Sequence, residues 1–396
     1  MSTVRHTCII ALAVIATLLV PAATGSCAQG APAASASPNA ASPAAVSAVV
    51  SAAAGASAQA RGHFVVWGDG RNDAGQTAAS PGFVSLVRAL KNASFSHSIT
   101  VGDYTYADGG LSADTARYES FLAAARPLTD GRKTHWIVGN HEHVYDADDD
   151  QLYHEKLWGE DAPATAGHGL HHWGAFRMIF GTKRVFGYYL SSAESTAGEG
   201  TIGFKTAVVD RAAGSAWRTQ SSQARDLVRW LKDRGRRQWV VIVVHHPLYD
   251  AKVDDPWDTT AYASEKMKLV RLFRRYGVDL VLQGDVHNYR RHVRKDGSTY
   301  LTQGMGGASP KPDRHTAAEP SVPYLDAADR GHLGSPGGGQ YRYGWTSFAV
   351  LSTGGIRGST YYVSTIDETV GGNVIPAGTR ILYERFALTN VLRTAP

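Results

Sequence analysis

Five short strand-like runs are each followed at once by a cluster of carboxylate, histidine or asparagine side chains, and this repeated order constrains the fold more than any other feature. The runs are Phe64–Trp67, Ser98–Val101, Trp136–Val138, Trp239–Val244 and Val278–Leu282. The segments after them are Gly68-Asp69-Gly70-Arg71, Gly102-Asp103-Tyr104-Thr105-Tyr106, Gly139-Asn140-His141-Glu142, His245-His246-Pro247 and Gly284-Asp285-Val286-His287. Short runs of this composition read as buried β-strands. The polar side chains therefore leave strands at their carboxyl ends, the rim where open α/β sheets form a ligand crevice.

Between these runs the apolar period changes to that of helices. Pro81–Asn92 starts on a proline suited to a first turn and carries Phe83, Val84, Leu86, Val87 and Leu90 as one stripe. Tyr118–Ala125, ended by Pro127, Gln223–Arg234 and Glu265–Tyr276, capped by Gly277, are read in the same way. Phe176–Leu190 and Thr201–Val209 look like strands. After His287 the pattern is mostly β, at Thr299–Thr302, Phe348–Leu351, Thr360–Ser364 and Arg380–Ala387. Ala308–Tyr341, rich in Gly, Pro and charge, reads as one long loop, a kind that tends to serve function.

The termini of the fold follow from composition. Arg5 and His6 precede an apolar run, Cys8–Val20, too short to span a bilayer comfortably, and small residues follow to Ala28. Residues 1–28 are thus expected to be a secretory signal. Two cleavage readings stay open: Ser26-Cys27-Ala28 suits a signal peptidase, whereas Thr24-Gly25-Ser26-Cys27 resembles a lipoprotein box that would leave a lipid anchor at Cys27. Residues 29–60, almost entirely Ala, Ser, Pro and Gly, read as a disordered linker. That leaves 61–396 as the folded domain. Its lack of cysteine means that the core alone holds it together. No second run approaches a transmembrane span, and the expected location is exported. The net charge of +5 comes without zinc-knuckle spacings or alternating basic and aromatic patches, so no nucleic-acid partner is expected.

Together, the five segments resemble the calcineurin-like metallophosphoesterases, and within them they are most similar to purple acid phosphatases, from about Phe64 to Tyr289. The resemblance implies a four-layer α/β/β/α sandwich with two mixed β-sheets and a site for two metal ions at its edge. It implies that Asp69, Asp103, Tyr106 and His287 hold the first ion, and that Asn140, His245 and Asp285 hold the second with Asp103 as the shared bridge. Two ions at such spacing generate a nucleophile and neutralise phosphate charge.

The chain also departs from the family. Arg71 stands where many members carry a ligating histidine, and a guanidinium, always protonated, cannot ligate. Tyr106 fills that gap as in the purple enzymes, and its hard phenolate favours Fe(III) at the first site. Asp285 replaces a histidine; its oxygen suits Mn or Fe(II) at the second site, with Zn less favoured. His141 is expected to assist the leaving group, Glu142 to orient it, and Arg71 either to hold a phosphate oxygen or to neutralise carboxylates. The implied activity is hydrolysis of small phosphate monoesters by direct attack of a metal-bridging hydroxide. Two other readings fit the same residues: a phosphodiesterase or nucleotide hydrolase of the superfamily, and an exported binding protein whose second metal site, at Asp285, is degraded.

Overall fold

The computed structural model describes residues 59–390 apart from 74, 107–109, 143–151, 159–172, 193–221, 234–238, 249–259, 310–326, 334–341 and 371. The expected signal, nearly all of the expected linker and the expected strand at 201–209 lie outside the described residues.

The layering is decided by alternation within single strands. In β1 (Ala60–Trp67), Phe64, Val65, Val66 and Trp67 are all fully buried. A strand buried on both faces needs a layer on each side. Phe64 and Val66 join a core with Val241, Val243, Leu280, Leu282 and Leu301, which come from a second sheet. Val65 and Trp67 point the other way, against Phe83, Leu86, Tyr118 and Phe121 of two helices. β6 (Trp239–Val244) repeats the pattern: its Val240, Ile242 and Val244 face Leu227, Leu231, Leu269 and Phe273 of two further helices. The outcome is the expected α/β/β/α sandwich.

The first sheet places β1 beside β2 (His97–Thr100), which pairs in turn with β3 (Lys133–His135), all parallel. The second places β6 between the parallel strands β5 (Lys183–Leu190) and β7 (Leu280–Gln283). β4 (Gly174–Phe180) forms one antiparallel edge of that sheet, and β8 (Tyr289–Arg294) and β9 (Thr299–Gln303) continue it on the far side. Antiparallel β11 (Arg342–Leu351), β12 (Ile356–Ser364) and β15 (Arg380–Leu388) complete the first sheet. A separate ribbon pairs β13 (Glu368–Val370) with β14 (Asn373–Ile375). Both sheets are mixed, as expected.

The helices are α1 (Pro81–Leu90), α2 (Leu111–Thr129), α3 (Ser222–Asp233) and α4 (Thr260–Tyr276). In α1 the Ser80 hydroxyl accepts the Phe83 amide at 3.2 Å and Pro81 takes the first turn, a regular start. The expected helix Tyr118–Ala125 is longer at both ends. Its first turns lack an apolar stripe and are held by a buried pair, Arg117 Nη1 to Asp114 Oδ1 at 2.6 Å. Pro127 does not end it, because Leu128 beyond it is fully buried and the Asp130 amide still bonds to Arg126 O at 2.9 Å. The expected loop 308–341 contains a strand, β10 (Ala327–Leu333), whose polar sequence hides it; antiparallel pairing with β8 supplies what the sequence period does not.

Candidate metal centre

Strand direction brings the five segments together. β1, β2 and β3 deliver Asp69, Asp103 and Asn140 from one sheet, and β6 and β7 deliver His245, Asp285 and His287 from the other. Main-chain bonds lock the loops: Asp69 N–H to Gly102 O at 2.9 Å, Arg71 N–H to Asp103 O at 3.0 Å, and Gly284 N–H to His245 O at 2.7 Å. The approach is close enough to exclude side chains. A Cβ on Gly102, whose φ is 95°, would lie 2.7 Å from the Gly139 backbone and 2.8 Å from His245 Nδ1. Among the described residues the non-glycine positions with positive φ are Asp69, Asp103, Asp285 and His287. Left-handed backbone costs on the order of 1–3 kcal/mol per residue, least for Asp, and such strain clusters at functional sites.

Both histidines are fixed by the main chain. His245 Nδ1 lies 2.6 Å from Val101 O, and His287 Nδ1 lies 3.0 Å from Ser309 O. A carbonyl only accepts, so each Nδ1 carries the hydrogen and each Nε2 turns its lone pair inward. His245 Nε2 then faces Asn140 Oδ1 at 2.9 Å, Asp103 Oδ1 at 3.2 Å and Asp285 Oδ1 at 4.0 Å. His287 Nε2 lies 3.7 Å from Asp69 Oδ1. Asp69, Asp103 and His287 form one buried group whose ligand atoms all lie within 4.8 Å of one another.

A cage in which imidazole nitrogen, amide oxygen and carboxylate oxygens converge as acceptors suits a cation. The carboxylates tell the same story. Burial, reinforced by Asp103 and Asp285, pushes the Asp69 carboxyl well above its ordinary range. Burial would raise Asp103 also, but His245, His141 and Arg71 outweigh it and hold that carboxyl low. The donor set fits two ions: Asp69, Asp103 and His287 form one group, His245, His246 and Asp285 another, and Asp103 Oδ1 lies 3.2 Å from His245 Nε2 between them.

The remaining expected residues surround Asp103. Arg71 Nε is 3.5 Å from Asp103 Oδ2, and its Cζ stands 4.8 Å from the centre of the Tyr106 ring. The Tyr106 ring also packs on His141, with centroids 4.5 Å apart. His141 Nε2 lies 3.8 Å from Asp103 Oδ2, and burial lowers this imidazole to about 4, so it is neutral at neutral pH. Glu142 differs from expectation. Its carboxylate does not turn to His141 but accepts main-chain N–H groups: Asp103 at 2.9 Å, Tyr104 at 2.7 Å and Gly139 at 2.7 Å. A turn that tightens after Gly139 leaves those amides unpaired, and the buried carboxylate is what satisfies them. Burial and the Asp103 charge push Glu142 up to about 8, against the pull of these donors.

Of three further residues of this region, His246 reads from the sequence only as packed or solvated beside the ligand His245, and Asn72 and Arg117 were not singled out. His246 is buried, its Nδ1 2.8 Å from Ser192 Oγ, and it forms a second ligand group with His245 and Asp285. Asn72 donates to Gln76 O at 2.5 Å and to Ala78 O at 3.0 Å, and accepts the Tyr106 amide at 3.4 Å. Arg117, from α2, donates to Tyr106 O at 2.5 Å and to Gln76 O at 2.9 Å. The two clamp the Tyr106 loop beside the Asp69 loop. The paired His245-His246 dipeptide was a signal for the first; nothing local marks the other two.

Residues 75–289, more than half of the chain, match the family model of the calcineurin-like phosphoesterases, and the chain belongs to that family. The match includes Asp103, Asn140, His245, Asp285 and His287 and starts just after Asp69 and Arg71. No curated protein matches the chain. Among solved structures, a purple acid phosphatase, PPD1 from yellow lupin (Lupinus luteus) seeds, is 15% identical with a TM-score of 0.51, covering 84% of this chain and 55% of that one. PhoD is 11% identical with a TM-score of 0.55, covering 85% of this chain and 71% of that one. At these identities the likeness is one of fold, and the chain spans little more than half the length of the lupin protein.

Proposed function

We propose that this phosphoesterase is an exported enzyme that hydrolyses small phosphate monoesters at a two-ion centre. The observation that carries the reading is the position of Asp103, grouped with Asp69 and His287 on one side and 3.2 Å from His245 Nε2 on the other. Asp69, Tyr106 and His287 would hold the first ion with Asp103; Asn140, His245 and Asp285 would hold the second. Bound there, the ions supply Lewis acidity and lower the pKa of a water at neutral pH. The Tyr106 phenol favours Fe(III) at the first position, and the oxygen-rich second set favours Mn or Fe(II) over Zn.

The protein's own part is positioning and proton transfer. His141, held neutral by burial and packed on the Tyr106 ring with its Nε2 3.8 Å from Asp103 Oδ2, would donate a proton to the leaving alkoxide. Glu142 acts behind it, fixing the Asp103 and Gly139 amides so that Asp103 and Asn140 keep their directions. No described helix is long and apolar enough to cross a membrane. Export rests on the leader-like residues 1–28 and is tested by locating the mature N-terminus.

The activity is tested by chelation and reloading. The chelated protein should lose turnover of an aryl phosphate monoester and regain it with Mn(II) or iron. Full turnover without metal would overturn the mechanism, and a preference for a bis-aryl diester would favour the phosphodiesterase reading instead.

A further inference from the structure

The Arg71 guanidinium lies against the same atoms that the first ligand group turns inward. Its Nη2 is 3.4 Å from His287 Nε2, and its Nε is 3.5 Å from Asp103 Oδ2. Nη1 reaches the Asn72 carbonyl at 3.3 Å. These contacts are all longer than the roughly 2.7–2.9 Å of a good charge-assisted hydrogen bond. The side chain is only 12% exposed, and its buried Nε makes no hydrogen bond. Buried guanidinium groups ordinarily sit in a fork of well-aligned acceptors. This one is placed by its backbone, through the Arg71 amide bonded to Asp103 O at 3.0 Å, and by the Tyr106 ring beneath it.

Because Nδ1 of His287 holds the hydrogen that goes to Ser309 O, the Nε2 lone pair is the only part of that ring available to a ligand site. A guanidinium N–H and a metal ion both need that lone pair, and it serves one of them at a time. The two cations also repel across the short gap over Asp103. Among the described residues Arg71 makes no hydrogen bond or ion pair with His245, Asn140 or Asp285, and on the shared Asp103 it faces Oδ2 while His245 faces Oδ1, so the second ligand set meets this competition far less.

We infer that Arg71 is a built-in competitor of the first ion, so that divalent ions bind the Asp69–Asp103–His287 set weakly and exchangeably and the Asn140–His245–Asp285 set tightly. The inference rests on the two-ion reading above. A phenolate at Tyr106 offsets the competition for Fe(III), so Mn(II), which gains little from phenolate, is the suitable probe.

The test is calorimetric titration of the chelated full chain with Mn(II). The wild type should show two steps, the weaker lost in His287→Ala and the tighter lost in His245→Ala. Arg71→Met keeps the aliphatic stem without charge or donors and should tighten the weak step by about tenfold or more, leaving the tight step unchanged. Arg71→Gln provides a second neutral variant if Arg71→Met does not fold. Two equally tight steps in the wild type, or a weak step that neutral variants leave unchanged or loosen further, would overturn the inference while leaving the phosphoesterase reading intact. A wild type that binds no Mn(II) would overturn both.

Discussion

Asp103 Oδ1 and His245 Nε2 lie 3.2 Å apart, and each side chain comes from a different sheet. The histidine is bonded back through Nδ1 to Val101 O, two residues before that aspartate. One contact thus joins the ends of β2 and β6, and the centre sits on the seam between the two halves of the sandwich. The seam is held by polar groups where the layers below it are held by Phe64, Val66, Val241 and Val243.

Removing the shared carboxylate should empty both positions. Asp103→Ala deprives each ligand set of its common member, and loss of activity should exceed the 10- to 100-fold typical for residues that stand behind ligands. Metal analysis should find well under two ions per chain. Two tightly held ions in this variant would show that Asp103 does not bridge.

Glu142 and His141 are adjacent yet should fail differently. His141→Ala should cost on the order of 100- to 10,000-fold on alkyl phosphates and far less on activated aryl esters, which leave unaided. Glu142→Gln puts an NH2 against main-chain amides that now donate to the Glu142 carboxyl oxygens, so the Asp103 and Gly139 loops shift. It should lower Tm, with a cost of about 1–3 kcal/mol, and slow both ester types alike. Parallel rate measurements on the two esters separate the roles; a selective alkyl loss in Glu142→Gln would place that residue on the leaving group after all.

Asp285, like Arg71, is a position where the sequence departs from the pattern it resembles, and its geometry supports a ligand role. It is held at φ 68°, with Oδ1 4.0 Å from His245 Nε2. Asparagine tolerates left-handed backbone as aspartate does, so Asp285→Asn removes the charge without a backbone penalty. The variant should bind the second ion more weakly while its metal-free Tm does not fall, since the charge removed is one that repels Asp69, and Asp285→His should raise zinc affinity. Unaltered binding of two ions in Asp285→Asn would remove this residue from the ligand set.

How much of this was legible in the sequence depended on which force acts on each element. Strands buried on both faces, such as Trp239–Val244, announce themselves because burial demands continuous apolar residues, and the tags at their ends follow from chain direction. The first turns of α2 were hidden because an ion pair, Asp114 with Arg117, does there what an apolar stripe does elsewhere. β10 was hidden because its pairing comes from β8, far off in sequence. In the centre, residue type gave the ligand candidates. What Glu142 bonds to could not be read, since its partners are backbone amides that every residue possesses.

A last prediction concerns acid. His97 Nδ1 and His135 Nε2 lie 3.4 Å apart, with rings stacked at 5.6 Å and His135 stacked in turn on Phe176 at 4.2 Å. Burial, with Lys133 adding, lowers His97 from 6.5 to about 4; burial, with His97 and Lys133 adding, lowers His135 likewise. Between these values the unfolded chain binds protons that the folded chain refuses, so stability rises with pH across the window. The contribution is intact above about 6.5 and is lost progressively as pH falls toward 4. His135→Phe keeps the stack on Phe176 and removes one titrating ring. Thermal melts from about pH 7.5 to about pH 4.5 should therefore show a shallower fall of Tm in this variant than in the wild type. The buried carboxylates titrate in both proteins, so the difference in slope reports the histidines, and equal slopes would show that the pair accepts protons in place without cost to the fold.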